Sequence, residues 1–214
     1  MNISELNSKA QNAETQSSLS PADALQLLKE GNSRFVADKK LNRDLLGQVV
    51  STTGGQYPFA AVLSCIDSRV PAEIVFDQGI GDIFSARVAG NIVNEDILGS
   101  LEYSCKVAGS KAIVVMGHSR CGAVSAACDD VKLGNITALL SNIRPAVESV
   151  ASESNIEASS SDAEFVQNVS DRNVQNTIDA IRDKSDILRE MHDNGEIDIV
   201  GAMYHVDSGK VTFF

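Results

Sequence analysis

Two stretches of this chain, Phe59-Ala60-Ala61-Val62-Leu63 and Ala112-Ile113-Val114-Val115-Met116, are apolar at every position. A strand with one face in water alternates, so unbroken apolar runs predict interior strands of a parallel sheet covered by helices on both faces. Residues 83–87 and 197–206 read as two further strands. After the turn at Asp207-Ser208-Gly209, residues 210–213 read as an edge strand. Helical spacing fills the intervals. Ser20-Pro21 with Asp23 opens a helix that carries Ala24, Leu27, Leu28 and Phe35 on one face, with Gly31 and Asn32 predicting a weak middle. Residues 41–55 read as irregular or short helix, and residues 72–76 as a short helix closed by Gly79 and Gly81. Asn94 caps a predicted helix over 95–108 that Gly109 ends, and another helix opens near Cys121-Gly122. A helical region over 136–150 should kink or break at Pro145, and residues 151–162 read as a loop. One long amphipathic helix is expected over 164–194, with Phe165, Val169, Ile178, Ile181, Ile187 and Leu188 on its apolar side and Gly195 as its stop.

This alternation predicts an α/β fold: a central, mostly parallel β-sheet flanked by helices and joined by right-handed crossovers, with an N-terminal helical arm and a C-terminal edge strand. Residues 1–19, rich in Ser, Asn and Gln, are expected to form a flexible arm, and residues 20–214 a single domain.

Composition narrows the function classes. With 214 residues, 43% of them hydrophobic, the chain can bury a sizeable core. A net charge of -11 without a basic patch argues against nucleic acid or an anionic membrane surface as partner. No apolar run approaches the ~20 residues that span a bilayer. Four Cys are too few for a disulfide scaffold, and the polar start is not a signal peptide, so a reducing, cytoplasmic setting is expected. A leader removed ahead of residue 1 would leave no trace here.

Both apolar runs end in groups that bind metals or move protons. The first runs into Cys65, the second into His118 and Cys121. Zinc takes thiolate and imidazole ligands in a tetrahedron, and a catalytic zinc keeps one position open. His118 and Cys121, three apart at a helix mouth, can project to one side, and Cys65 arrives from the carboxyl end of a separate strand, where open α/β sheets place their sites. The plainer reading is that a Cys at a strand end is a small buried hydrophobe. Cys105 and Cys128 are read that way, and His192 and His205 as solvated or structural. No fourth Cys or His lies near; Asp67 is the nearest further ligand. From the residues alone, a non-catalytic zinc or thiol-sensing module stays open, as does a nucleotide-binding domain on the weak signal of Gly79-Ile80-Gly81.

Cys65-Ile66-Asp67-Ser68-Arg69 and His118-Ser119-Arg120-Cys121-Gly122, with Asp82-Ile83-Phe84 and Arg87-Val88-Ala89-Gly90-Asn91 between them, resemble the β-class carbonic anhydrases over about residues 25–211. The resemblance implies zinc-dependent, reversible hydration of carbon dioxide to bicarbonate and a proton, with one Zn2+ per subunit. It places Cys65, His118 and Cys121 on the metal ligands. Asp67 and Arg69 fall on a dyad that orients the zinc-bound hydroxide, with Asp67 able to become a fourth ligand in a closed state. Gln56, Phe84, Ala89, Tyr103 and Gly122 fall on the substrate pocket. Val62 stands where a bicarbonate-inhibited subgroup carries Trp, which implies the plant-like, open-site subgroup. The family's assembly implies a homodimer or homotetramer.

Overall fold

A computed structural model describes residues 9–214; residues 1–8, the first part of the expected arm, lie outside the described residues. Five strands, β1 (Ala60–Ser64), β2 (Ile83–Arg87), β3 (Ala112–His118), β4 (Asp198–Tyr204) and β5 (Val211–Phe213), form one sheet in the order β2-β1-β3-β4-β5. The first four are parallel and β5 returns antiparallel along β4. Every residue of β1 and β3 is buried, as their unbroken apolar runs require. Ala60 and Val62 face Leu27, Leu28 and Phe76 on one side; Ala61 and Leu63 join the cluster of Ile178, Ile181 and Leu188 on the other. The chain leaves β1 toward β2 and then crosses back to β3 on β1's other flank. The carboxyl ends of β1 and β3 therefore flank the switch point where such sheets open a crevice.

The helices are α1 (Ala13–Ser18), α2 (Pro21–Val36), α3 (Leu45–Ser51), α4 (Ala72–Val75), α5 (Glu95–Glu102), α6 (Gly122–Cys128), α7 (Gly134–Leu140), α8 (Arg144–Ser154), α9 (Ala163–Lys184) and α10 (Asp186–Asp193). None of them is long and apolar enough to cross a membrane. Ser20 caps α2 and Asp23 bonds back to Ser20, as the sequence predicts. The expected weakness at Gly31 and Asn32 is absent, because tertiary contacts override propensity. A Cβ at Gly31 would lie 1.8 Å from the Phe76 carbonyl oxygen, so glycine lets α2 press against the chain after α4. Asn32 donates to the carbonyls of Val75 (3.1 Å) and Gly209 (2.9 Å) and accepts from the Val211 N–H (2.8 Å), tying α2 to β5.

Two helical readings need correction, and the break expected near Pro145 is present. The helix expected over 95–108 is α-helical only to Glu102 and continues as a π turn, Tyr103–Val107, before Gly109 turns at φ 83°. The region around Pro145 is two helices, with Pro145 in the first turn of α8, where its missing N–H has no helical partner to lose. The single helix over 164–194 is divided at Ser185. Its hydroxyl accepts from the Leu188 N–H (3.2 Å) and donates to Glu102 Oε1 (2.6 Å), so capping α10 and tethering it to α5 outweigh helix continuation. Helix α9 lies flush on the sheet: a Cβ at Gly117 would come within 2.7 Å of Val174, and one at Gly201 within 3.0 Å.

Within the stretch expected to be mobile, residues 9–19 carry α1, capped by Asn12 with Thr15 returning the bond. Buried Gln16 donates to the carbonyls of Pro58 (2.8 Å) and Ala108 (2.7 Å), docking this helix on the amino-terminal end of the sheet.

Nearby, Asp82 is 1% exposed and accepts the Gly79 N–H at 2.7 Å. Burial pushes its carboxyl up to about 6, against that hydrogen bond and the Arg43 charge. The unfolded chain loses this proton near 3.8, so between the two values the folded state holds a proton that the unfolded state has released. Raising the pH across that interval therefore removes on the order of 3 kcal/mol of folding stability. Asp82→Asn stays neutral throughout. Its stability relative to the parent should grow by about that amount between about pH 4 and pH 7 in denaturant titrations; an equal difference at both ends would contradict the assignment.

Candidate metal centre

Cys65 is the first residue beyond β1, His118 the last of β3, and Cys121 the N-cap of α6. The parallel register pairs Ser64 with Met116, which brings these two strand ends side by side. The two sulfurs are 4.0 Å apart, and both lie with a His118 ring nitrogen inside 4.8 Å of one another. All three residues are buried. His118 Nδ1 is 3.0 Å from the Ser119 carbonyl oxygen, which can only accept, so Nδ1 carries the proton and Nε2 keeps a lone pair. That Nε2 is buried and has no hydrogen-bond partner. An orphaned acceptor costs about 1–3 kcal/mol, and a cation shared with the neighbouring sulfurs would satisfy it. Two thiols and an imidazole suit zinc.

The sulfur–sulfur hydrogen bond draws the Cys65 thiol down and pushes Cys121 up, burial adding to the rise. A dication bound to both sulfurs would take the place of that hydrogen bond. A second contact on Cys65 comes from the Gly90 N–H, 3.4 Å from Sγ.

Asp67 sits at the open side of this cluster, with Oδ2 3.9 Å from His118 Nε2. Arg69 grips it with Nε on Oδ1 (2.9 Å), Nη2 on Oδ2 (2.7 Å) and its own backbone N–H on Oδ1 (2.9 Å). This fork holds the Asp67 carboxyl far below the usual carboxylate range. Arg69 Nη2 also reaches the Arg120 carbonyl (3.3 Å), linking the turn after β1 to the turn after β3. Arg87, to which the sequence reading gave no individual role, donates to the carbonyls of Cys65 (3.0 Å) and Asp67 (2.6 Å). The signal was its place at the end of β2, in register with Ser64.

Ala89 lies in the short turn Ala89–Asn91 beside Gly90, and Gly122 is exposed next to Cys121. Phe84 and Tyr103 are elsewhere. They pack edge to face at 6.1 Å and line, with Glu95, Ile97 and Ser100, a cavity of about 670 Å³ that no metal-cluster residue touches. Gln56 is exposed ahead of β1, at the opposite end of that strand from Cys65. One chain thus gathers Cys65, Asp67, Arg69, His118 and Cys121, with Ala89 and Gly122 alongside, but leaves Gln56, Phe84 and Tyr103 apart. Cys105 and Cys128 sit in apolar clusters where burial pushes both thiols up to about 11, in keeping with packing roles. His192 contacts the Ile197 carbonyl (3.3 Å) and His205 the Thr212 hydroxyl (3.3 Å), away from the cluster.

A family model described as carbonic anhydrase matches residues 60–211. Carbonic anhydrase 2 of Mycobacterium tuberculosis is 37% identical over 191 residues, covering 89% of this chain and 91% of that protein. Among solved structures, a β-carbonic anhydrase of Aspergillus fumigatus superposes with a TM-score of 0.70 at 25% identity, covering 90% of this chain and 89% of the other. A tetrameric β-carbonic anhydrase of Sordaria macrospora superposes with a TM-score of 0.71 at 24% identity, over 78% of this chain and 85% of the other.

Proposed function

Because this chain belongs to the carbonic anhydrase family, in its β class, and is an enzyme of that kind, we propose that Cys65, His118 and Cys121 hold one Zn2+ per subunit and that Asp67 and Arg69 complete the catalytic centre for reversible hydration of carbon dioxide. The observation that carries the metal assignment is the unpartnered, buried Nε2 of His118 grouped with two thiols. Zinc bound there acidifies a water molecule, so that a strong nucleophile is available near neutral pH. Asp67, at the open side, would serve as the hydrogen-bond acceptor that orients this water beside the substrate, through its Oδ2. Arg69 engages both carboxylate oxygens and would hold Asp67 back from joining Cys65, His118 and Cys121 as a further ligand. Ala89 and Gly122, both small, leave room for a linear substrate beside the cluster.

Gln56, Phe84 and Tyr103 contribute to a pocket only if a second copy supplies them, so the active form in this reading is a homodimer or homotetramer. Tyr103 and Val107, large and half or more exposed next to the cavity, support that face as the contact. The substrate is a small molecule, and neither nucleic acid nor a membrane is a partner.

Stopped-flow hydration of carbon dioxide together with a metal count and light scattering tests the whole reading. Fast hydration, one zinc per chain and a mass of two or four chains are expected. Bound zinc without hydration would replace the enzyme reading by a zinc-stabilised module, and a monomer with full activity would remove the second copy from the pocket.

A further inference from the structure

The Gly90 N–H that contacts Cys65 belongs to a turn in an uncommon conformation. Gly90 and Asn91 both have positive φ, 71° and 43°. Gly90 has no room for a side chain, since a Cβ would come within 2.5 Å of Ile143. Asn91 does not hold the turn by its own side-chain donor, because its amide nitrogen is buried without a partner. Backbone bonds fasten only the entry: Val88 N–H to the Ser64 carbonyl and Asn91 N–H to the Val88 carbonyl, both 3.0 Å.

The remaining hold comes from α9. Asn173 Nδ2 donates to the Gly90 carbonyl at 2.8 Å, and one turn on, Thr177 Oγ1 donates to the Asn91 carbonyl at 3.3 Å. Both side chains are buried, at 2% and 4% exposure, next in sequence to Val174 and Ile178 of the apolar core. The path is short: Asn173 fixes the carbonyl of Gly90, and the N–H of the same residue points at the Cys65 sulfur.

We infer that Asn173, seconded by Thr177, is a positioning residue that holds the Gly90 N–H on the Cys65 sulfur and thereby sets how much electron density this ligand gives the metal. A hydrogen bond donated to a thiolate withdraws charge from it and fixes its direction, and losing such outer contacts typically weakens metal binding about 10–100-fold. This inference rests on the reading that Cys65, His118 and Cys121 hold the metal.

The test uses the full-length protein loaded with Co2+, whose sulfur-to-metal charge-transfer band reports on the thiolates. Asn173→Leu removes the donor at nearly constant volume, and Thr177→Val removes the hydroxyl at constant shape. Without the hydrogen bond the sulfur donates more strongly. The band should move to lower energy and the pH of half-maximal hydration by the zinc form should move alkaline, while loss of the fixed sulfur direction should let a chelator strip the metal about tenfold faster. Thr177→Val should shift each readout the same way by less. A variant that only lowers the melting temperature, with band, chelator rate and pH profile unchanged, overturns the inference. If Asn173→Leu does not fold, Thr177→Val decides alone, and an unshifted band overturns it. A parent protein that develops no charge-transfer band overturns the metal reading itself, which is a different result from a parent-like variant.

Discussion

Cys65→Ser should lose zinc and with it essentially all carbon dioxide hydration. Apparent binding energies of thiolate-rich zinc sites run about 10–16 kcal/mol over the ligand set, so one thiolate accounts for roughly 3–5 kcal/mol, about a hundredfold to a few thousandfold in affinity. The residual site of His118 and Cys121 would then compete poorly with a chelator. A serine hydroxyl at this position is also buried, and it replaces a sulfur that now shares its hydrogen bonds with Cys121 and Gly90. Metal analysis after dialysis against a chelator should give less than about 0.1 zinc per chain, with hydration at the uncatalysed rate. Cys128→Ser is the matched control, because that thiol is buried on α6 yet outside the cluster. Its metal content should equal the parent's. Full zinc and full activity in Cys65→Ser would reject the ligand assignment.

Asp67→Asn should behave in the opposite sense, keeping its zinc and losing turnover. The amide preserves shape but presents a neutral group to Arg69, whose fork now meets two carboxylate oxygens. Removing one preorganised hydrogen-bonding group of this kind typically costs about 10²–10³ in rate. The pH behaviour separates orientation from titration. Because Arg69 holds the Asp67 carboxyl far below its ordinary value of 3.8, the group is ionised across the whole neutral range. Its contribution is present above that unfolded-state value and is lost only as the pH falls through the lower, folded-state value. The variant's rate profile should therefore drop in height with its midpoint little changed. Parent-like turnover, or a loss accounted for by missing zinc, would remove Asp67 from the role given to it.

The sheet and the clustering of Cys65, His118 and Cys121 were legible because each rests on local pattern. Continuous apolar runs mark interior parallel strands, and a Cys or a His-x-x-Cys at their carboxyl ends can point only into the crevice those strands share. What was not legible depended on distant contacts. Ser185 divides a continuous amphipathic stripe by bonding Glu102, and nothing in the local spacing marks that partner. Gly31 and Asn32 look like helix breakers until Phe76 and β5 are packed against them. Helix α1, capped by Asn12 and Thr15, lies in a segment that was read as flexible from its polar composition alone. Gln56, Phe84 and Tyr103 were assigned to the pocket by resemblance, and one folded chain does not carry them to the metal cluster. Arg87 and Asn173 escaped notice because each acts on backbone carbonyls, and a carbonyl leaves no signature in side-chain spacing.

The bare patch formed by Gly117 and Gly201 works as a spacer gauge. It fixes the height at which α9 rides over the sheet, and Asn173, the residue before Val174, inherits that height. A methyl group added to either glycine would press on Val174, and at Gly117 it would do so in the residue immediately before His118. The change would reach the contact of Asn173 with the Gly90 carbonyl, so a packing alteration in the sheet would register beside Cys65 as well as in folding stability.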